Sequence, residues 1–205
     1  MRNKKPAILL LIIIAAALFI LVSLYFGLYY FSEVNRPGTS GDVHLYEPDW
    51  SADILSEEEY IVLDRNVRYS DGFGTWPILD GEVYYTKDAV QLFLISYIQD
   101  LVSGDCSSLR DKYSDSVIKA LNIPQNFTKQ RVYESLFTEI SKKEINTNGK
   151  ITFEYEFKVE YKIMKDDGTF RSDLASDSIK GQYFTILQDG DDIKIIKVVE
   201  YAVVR

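Results

Sequence analysis

The sequence predicts an α+β protein, with an N-terminal transmembrane helix followed by helices packed on a curved antiparallel sheet. Three patterns support this prediction. Residues 7–31 carry no charge, and residues 88–102 place apolar side chains at helical spacing. Residues 151–164 then alternate apolar and polar side chains, which is the period of a half-buried strand.

Residues 7–31 are predicted to cross a membrane as one helix. These 25 residues are long enough, since a helix rises about 1.5 Å per residue and the hydrocarbon core is about 30 Å thick. A cleaved signal peptide is the alternative, but its apolar region would be about 7–15 residues long and end in small residues. Here the run ends in bulky aromatic residues such as Tyr30 and Phe31, which favours an uncleaved anchor.

The charges around this span predict its orientation. Residues 1–6 contain Arg2, Lys4 and Lys5 and no acid. Positive residues stay on the cytoplasmic side, so residues 1–6 are predicted to be cytoplasmic. The localisation predicted is a single-pass protein of a cell membrane with its C-terminal domain outside.

Composition excludes several classes of function. The formal net charge is −8 at pH 7, which would repel phosphates and argues against a nucleic-acid partner. Cys106 is the only cysteine and His44 the only histidine, so an intramolecular disulfide and a one-chain Cys/His zinc site are both excluded. The sequence predicts no cofactor and no metal.

The segment between the span and the main domain falls into two parts. Residues 32–49 contain Pro37, Gly38 and Pro48 and are predicted to be a linker. Residues 50–85 form a poorly defined N-terminal part of the outside domain. Within it we expect a short helix capped by Ser56, a strand at 65–69 and a loop at 70–77.

The predicted cone-like α+β domain spans residues 86–205 and begins with three helices. Thr86 can cap the first, at 88–102, Asp88 favours its N-terminal end, and Gly104 can end it. The second covers 107–122, as one helix or as a broken one, and stops before Pro124. The third is predicted at 128–143, capped by Thr128, with an inner face formed by Val132, Leu136, Phe137 and Ile140.

Three strands are predicted to follow. They cover residues 151–164, 179–187 and 193–204, separated by turns at 166–168 and 188–192. The face from Ile151 to Ile163 should lie against the helices, and the Glu/Lys face should meet water or a partner. Apolar residues on both faces of the last strand predict either a central strand or a bulge.

This order of elements resembles the nuclear transport factor 2-like, or cystatin-like, α+β fold. The resemblance is carried by residues 88–102, 151–164 and 189–201, and it covers about residues 87–205. With one N-terminal span and an outside domain, the chain is similar to scaffold proteins of type IV secretion and Gram-positive conjugation machines. It is also similar to uncharacterised single-pass envelope proteins of Firmicutes. No partner-contact residue of those families can be matched here.

Tyrosines are the candidate functional residues. They could line a pocket or a protein interface, or they could form the rim of the core. The set consists of Tyr97, Tyr155, Tyr161, Tyr183 and Tyr201, with Tyr84 and Tyr85 as further members. No Ser–His–Asp set can be built around the core, so no catalytic residue is predicted.

Together these patterns predict a non-enzymatic, membrane-anchored binding or assembly module outside the membrane of a bacterial cell envelope. Its expected partners are the membrane, through residues 7–31, and other envelope proteins or itself. The alternative is a small-ligand-binding or enzymatic pocket inside a nuclear transport factor 2-like cone.

Overall fold

A computed structural model describes residues 45–50, 53–79, 87–173 and 175–201. The predicted membrane span at 7–31 and its orientation lie outside these residues, as does most of the predicted linker. Within the described part of the chain, no helix has both the length and the apolar character needed to cross a membrane.

The described residues form an α+β structure, which confirms the predicted class. The elements in chain order are a 3-10 turn at Ile54–Ser56, α1 at Glu58–Ile61, β1 at Val67–Ser70, β2 at Thr75–Pro77, α2 at Ala89–Ser103, α3 at Cys106–Asp111, α4 at Asp115–Leu121, β3 at Arg131–Thr147, β4 at Lys150–Met164, β5 at Lys180–Asp189 and β6 at Asp192–Tyr201.

The six strands form one open sheet in the order β2-β1-β3-β4-β5-β6. Every neighbouring pair is antiparallel except β1 and β3, which run parallel. The sheet is therefore mixed, whereas the sequence predicted an antiparallel one. The parallel pair joins residues more than sixty positions apart, such as Val67 and Ser135, and local sequence patterns carry no information on such pairing.

Helix α2 lies where the sequence predicts it. Its N-terminus is capped by Asp88, whose side chain accepts a hydrogen bond from the Gln91 backbone N–H at 2.7 Å. The Gln91 side chain in turn accepts from the Asp88 N–H at 3.3 Å, which completes a capping box. Gly104 ends the helix with a φ of 70°, a conformation that glycine adopts without steric cost. The expected cap, Thr86, lies outside the described residues.

The prediction of a third helix at residues 128–143 is wrong, because these residues form most of strand β3 instead. This strand contains two bulges, where the pairing with β4 shifts register between Tyr133 and Leu136 and between Glu139 and Ser141. Each bulge interrupts the alternation of inward and outward side chains along the strand, so the apolar residues of β3 fall at a spacing that resembles that of a helix. Thr128 does not cap a helix; its hydroxyl group contacts Asp167 and Thr169 in the β4–β5 connection.

The apolar face of β4 is buried as predicted, over most of its length. Tyr155, Phe157, Val159, Tyr161 and Ile163 all belong to the buried core, together with α2 residues such as Leu94 and Leu101. Ile151 differs, because it is 49% exposed at the start of the strand.

Strand β6 lies at the edge of the sheet, so the prediction of a central strand is wrong and that of a bulge is confirmed. The register shifts where Thr185 pairs with Lys197 and Ile186 pairs with Ile195. The free edge is partly covered by the segment between α3 and α4. There the Ile195 N–H donates to the Lys112 carbonyl at 2.7 Å, and the Ser114 N–H donates to the Ile195 carbonyl at 2.9 Å.

Residues 53–79 contribute two strands to the sheet. The strand predicted at 65–69 is present as β1, but part of the predicted loop at 70–77 forms β2, whose Trp76 ring lies 5.6 Å from that of Tyr69. The predicted helix is reduced to the single turn α1. Ser56 does not cap it, since its hydroxyl group donates to the Asp53 carbonyl at 2.9 Å.

The connection between β4 and β5 is held by a buried ion pair. Lys180 Nζ lies 2.6 Å from Asp166 Oδ2, and both side chains are fully buried. The predicted turn at 166–168 begins this connection, with Gly168 at a φ of 73°. Removing one partner of such a pair leaves an uncompensated buried charge, so the pair ties the start of the connection to the first residue of β5.

Phe157→Asp is expected to unfold the domain, whereas Glu156→Ala should change its stability little. Phe157 is 0% exposed, and a buried carboxylate costs several kcal/mol, comparable with the whole stability of a domain. Glu156, on the opposite face, accepts one hydrogen bond from Ser141 at 3.0 Å, worth about 1 kcal/mol. Thermal unfolding of the two full-length variants measures this, and equal melting temperatures would contradict the placement of the β4 face.

Candidate functional site

The five candidate tyrosines lie on two different faces of the sheet. Tyr97, Tyr155 and Tyr161 are buried on the side of the helices. Tyr183 and Tyr201 lie together on the other side, with ring centroids 4.8 Å apart. The set therefore does not line one common pocket, and its role as an interface stays a prediction. Tyr84 and Tyr85 lie outside the described residues.

The three buried tyrosines belong to the core. The Tyr97 ring meets Phe184 edge to face at 5.3 Å and Phe137 at 6.4 Å, filling the space between α2 and the sheet. Its hydroxyl group accepts a hydrogen bond from Tyr113 at 3.1 Å. Tyr155 donates to the Gln188 side chain at 3.1 Å, nearer the start of β4. Burial raises the pKa of Tyr97 well above its ordinary value, so the hydroxyl group stays protonated.

The two outer tyrosines form a small aromatic surface. The Tyr201 ring covers Gly181 so closely that a Cβ there would lie 2.7 Å from ring carbons. Lys158 lies above the same ring, 5.7 Å from its centroid. Burial raises the pKa of Tyr201, and the neighbouring carboxylate of Glu160 adds to the rise. Tyr183 beside it is 40% exposed.

A cleft of about 330 Å³ lies at the end of the sheet opposite the β3–β4 turn. We call it the Arg171 cleft. Three parts of the chain form it: α4 with the residues on either side of it, the β4–β5 connection, and β5 with β6. Its lining residues include Leu121, Ile123, Pro124, Phe170, Arg171, Asp173, Gln182 and Glu200.

Arg171 organises the charges of the cleft. The residue is only 6% exposed. Its Nε donates to Asp173 Oδ1 at 2.9 Å, its Nη2 contacts the second oxygen of the same carboxylate, and Nη2 lies 3.5 Å from Glu200 Oε1. Burial by itself would raise the pKa of Asp173, but the bonds and charge of Arg171 outweigh it, so this pKa is lowered.

Several buried polar atoms near Arg171 have no hydrogen-bond partner within the described residues. They are Arg171 Nη1, the Tyr161 hydroxyl group and Gln182 Oε1, although the Tyr161 hydroxyl group lies close enough to Arg171 and Tyr97 for weak polar contacts with both. Burial raises the pKa of Tyr161, and the positive charge of Arg171 opposes part of that rise. Most buried polar groups in proteins are paired, so the Gln182 oxygen beside Arg171 is the clearest departure from that rule in the cleft.

Within the described residues, there is little support for a metal site or for the chemistry of a thiol or imidazole group. These residues contain no group of three or more His, Cys, Asp and Glu side chains able to hold a metal ion. The Cys106 sulfur accepts a hydrogen bond from the Phe127 N–H at 3.2 Å, which holds the loop before β3. His44 lies outside the described residues.

The sequence patterns did not indicate the Arg171 cleft. Its residues come from three separated segments, and Arg171 stands in the connection after β4, where no periodicity applies. The only local signal is the sequence FRSD, which places Arg171 two residues before Asp173 in a charged, turn-rich connection.

Comparisons with known proteins leave the family of the chain open. Searches of the sequence against protein-family models and curated proteins, and of the fold against solved structures, find no significant match. The α+β class therefore rests on the helices and the strand order described above. The resemblance noted from the sequence stays a prediction.

Asp173→Asn is expected to lower the free energy of unfolding at pH 7 by about 1 kcal/mol, a modest value because the Asp173 side chain is 44% exposed. The folded-state pKa of Asp173 is depressed, so its stabilising contribution is fully present above about pH 4 and is lost as the pH falls. Urea unfolding at a series of pH values should show the difference from wild type shrinking toward low pH.

Glu144→Gln provides the matched control, because it makes the same change in charge at an exposed position of β3. It should unfold like wild type at every pH. A difference between Asp173→Asn and wild type that does not change with pH would contradict the ion pair with Arg171.

Proposed function

We propose that the chain is a non-enzymatic binding or assembly module of a bacterial cell envelope, built on a variant of the nuclear transport factor 2-like fold. Residues 7–31 would anchor it in the cell membrane with residues 1–6 in the cytoplasm and the α+β domain outside. The uncharged run and the basic residues before it support this arrangement. Other envelope proteins are the proposed partners.

The hairpin arm carries this proposal. We use that name for residues 142–151, the end of β3, the turn and the start of β4, all of which are exposed. The turn has positive φ at Asn148 and Gly149, and continuous pairing between the strands extends to Thr147 and Lys150. The arm is thus a regular two-stranded ribbon without cover from the described helices.

Apolar side chains on the arm support a role in contact with a partner. Ile145 and Ile151 are 37% and 49% exposed, and Ile140 beside the arm is 53% exposed. Ile145 pairs with Thr152 and Ile151 pairs with Asn146, so the two isoleucines lie on opposite faces of the ribbon. A partner that removed both from water would contact the ribbon on both faces. Lys142, Lys143 and Lys150 beside them supply a polar rim.

The filled core also supports recognition through surfaces. The region between α2 and the sheet, where a cone would hold a ligand, is occupied by aromatic side chains in edge-to-face contact, including Tyr97, Phe137 and Phe184. All three are fully buried. A ligand could enter there only by displacing side chains that contribute about 1.5–3 kcal/mol each.

Two other functions have some support. A small-ligand-binding or enzymatic pocket is favoured by the Arg171 cleft, whose volume of about 330 Å³ reaches the lower end of ligand sites. Self-association through the outer face of the sheet is favoured by the adjoining rings of Tyr183 and Tyr201. A monomer at high protein concentration would argue against self-association.

Crosslinking in the native membrane tests the proposal. The tagged full-length chain is treated with an amine-reactive crosslinker, and captured proteins and linked lysines are identified by mass spectrometry. We expect a reproducible envelope protein, linked through lysines of the hairpin arm such as Lys143 and Lys150. Ile145→Asp with Ile151→Asp should remove these links, because charge on both side chains makes burial against a partner unfavourable.

Ile61→Asp is the matched control, since Ile61 in α1 is 48% exposed, much like Ile151. This variant should capture the partner as wild type does. Capture that is unaffected by the arm variant would contradict the role of the arm. Capture of only the same chain would favour self-association, and no capture at all would favour a ligand pocket.

A further inference from the structure

The accessible charges of the Arg171 cleft are negative. Among the described residues, Arg171 is the only basic residue that lines it, whereas Asp173 and Glu200 are both acids. The guanidinium group is buried, but the side chains of Asp173 and Glu200 are 44% and 47% exposed. A ligand in the cleft therefore meets carboxylate oxygens, and an anion would be repelled by them.

Gln182 contributes a third acceptor, which is buried in this conformation. The residue is 5% exposed and lines the cleft. Its Nε2 donates to Glu200 Oε1 at 3.4 Å, while its Oε1 has no hydrogen-bond partner within the described residues. The polar part of the cleft thus combines two partly exposed carboxylates held by Arg171 with one buried amide oxygen, which a ligand would reach by a rotation of the Gln182 side chain. It calls for a ligand that donates hydrogen bonds.

Apolar side chains also line the cleft. Leu121 at the end of α4, Ile123 and Pro124 after it, and Phe170 from the β4–β5 connection are its apolar lining residues. An apolar lining beside a group of acceptors suits a ligand with a hydrocarbon stem and a cationic head. A lysine side chain has this form, with a four-carbon stem and an ammonium group that donates three hydrogen bonds.

A bare metal ion fits these residues less well. Calcium takes about six to eight oxygen ligands, and this cleft offers two carboxylates already bonded to Arg171 and one amide oxygen. An ammonium group needs only three acceptors, and the apolar lining would contribute nothing to binding a metal ion.

We propose that the Arg171 cleft binds a lysine side chain of a protein partner, with its ammonium group between Glu200, Asp173 and Gln182 and its stem along Ile123 and Phe170. This inference rests on the proposed function, and it names the chemistry by which the module recognises a partner. The net charge of −8 would favour the approach of a basic partner and make binding sensitive to salt.

A titration followed by methyl NMR tests the site on the full-length chain in lipid nanodiscs. The probe is Nα-acetyl-lysine methylamide, and the matching norleucine derivative, which has the stem without the ammonium group, is the control probe. We expect saturable shifts of the Ile123 and Leu121 methyl signals with a Kd of about 1–10 mM, the range for so small a ligand. The Ile145 and Ile151 signals on the hairpin arm should not move.

Glu200→Gln should weaken binding of the lysine probe about fivefold, the factor for loss of one partly exposed charge pair. Glu134→Gln is the matched control; the Glu134 side chain is 52% exposed and pairs with Lys162, so the variant removes an equivalent charge away from the cleft. Its affinity for the probe should equal that of wild type. Unchanged methyl signals elsewhere show that both variants are folded.

Three results would overturn the inference: no saturable shift at Ile123, equal binding of the norleucine probe, or unchanged affinity in Glu200→Gln. Tighter binding of the matching arginine probe would overturn the assignment to lysine. The two experiments distinguish a failure of the proposed function from a failure of the cleft assignment. Binding of the lysine probe without any captured envelope protein would support the cleft and contradict the assembly role, and the reverse pair of results would contradict the cleft alone.

Discussion

The apolar face of β4 is the constraint on which the rest of the structure depends. Tyr155, Phe157, Val159 and Tyr161 lie along one side of a strand that pairs with β3 on one edge and β5 on the other. Helix α2 covers this side, and β1 and β6 extend the sheet through β3 and β5. A single central strand therefore determines which side of every other strand is buried, because successive residues in a strand point to opposite faces.

Two ion pairs hold the β4–β5 connection in place at the end of the sheet where β4 ends. The Asp166–Lys180 pair fastens the start of the β4–β5 connection, and the Arg171–Asp173 pair fastens its middle. Such pairs contribute little net stability compared with apolar contacts of the same size, but they penalise any arrangement that separates the partners. The Arg171 cleft follows from this, because the connection is held over the ends of β5 and β6 by polar contacts that leave acceptors exposed.

Because the core is filled, the two candidate binding surfaces lie near the two ends of β4. The hairpin arm lies at the start of β4, and the Arg171 cleft borders β5 where Gln182 pairs with Val159. At about 3.3 Å per residue these regions are about 30 Å apart, so one large partner or two separate ones could occupy them. The arm offers apolar side chains and backbone ribbon, and the cleft offers charge. A partner that used both would combine hydrophobic burial with electrostatic selection.

The sequence by itself determined the α+β class, helix α2 with its ending at Gly104, and the alternation that makes β4 two-sided, because each depends on local spacing. For β6 it left two alternatives, a central strand or a bulge, and the bulge is present. Only the tertiary structure decided that residues 131–147 form a strand. Two bulges interrupt the alternating pattern of its side chains, so the strand is defined by its pairing with β4. The tertiary structure also separated Tyr183 and Tyr201 from the core tyrosines and assembled the Arg171 cleft from three distant segments, because strand register and loop position depend on contacts between residues far apart in the chain.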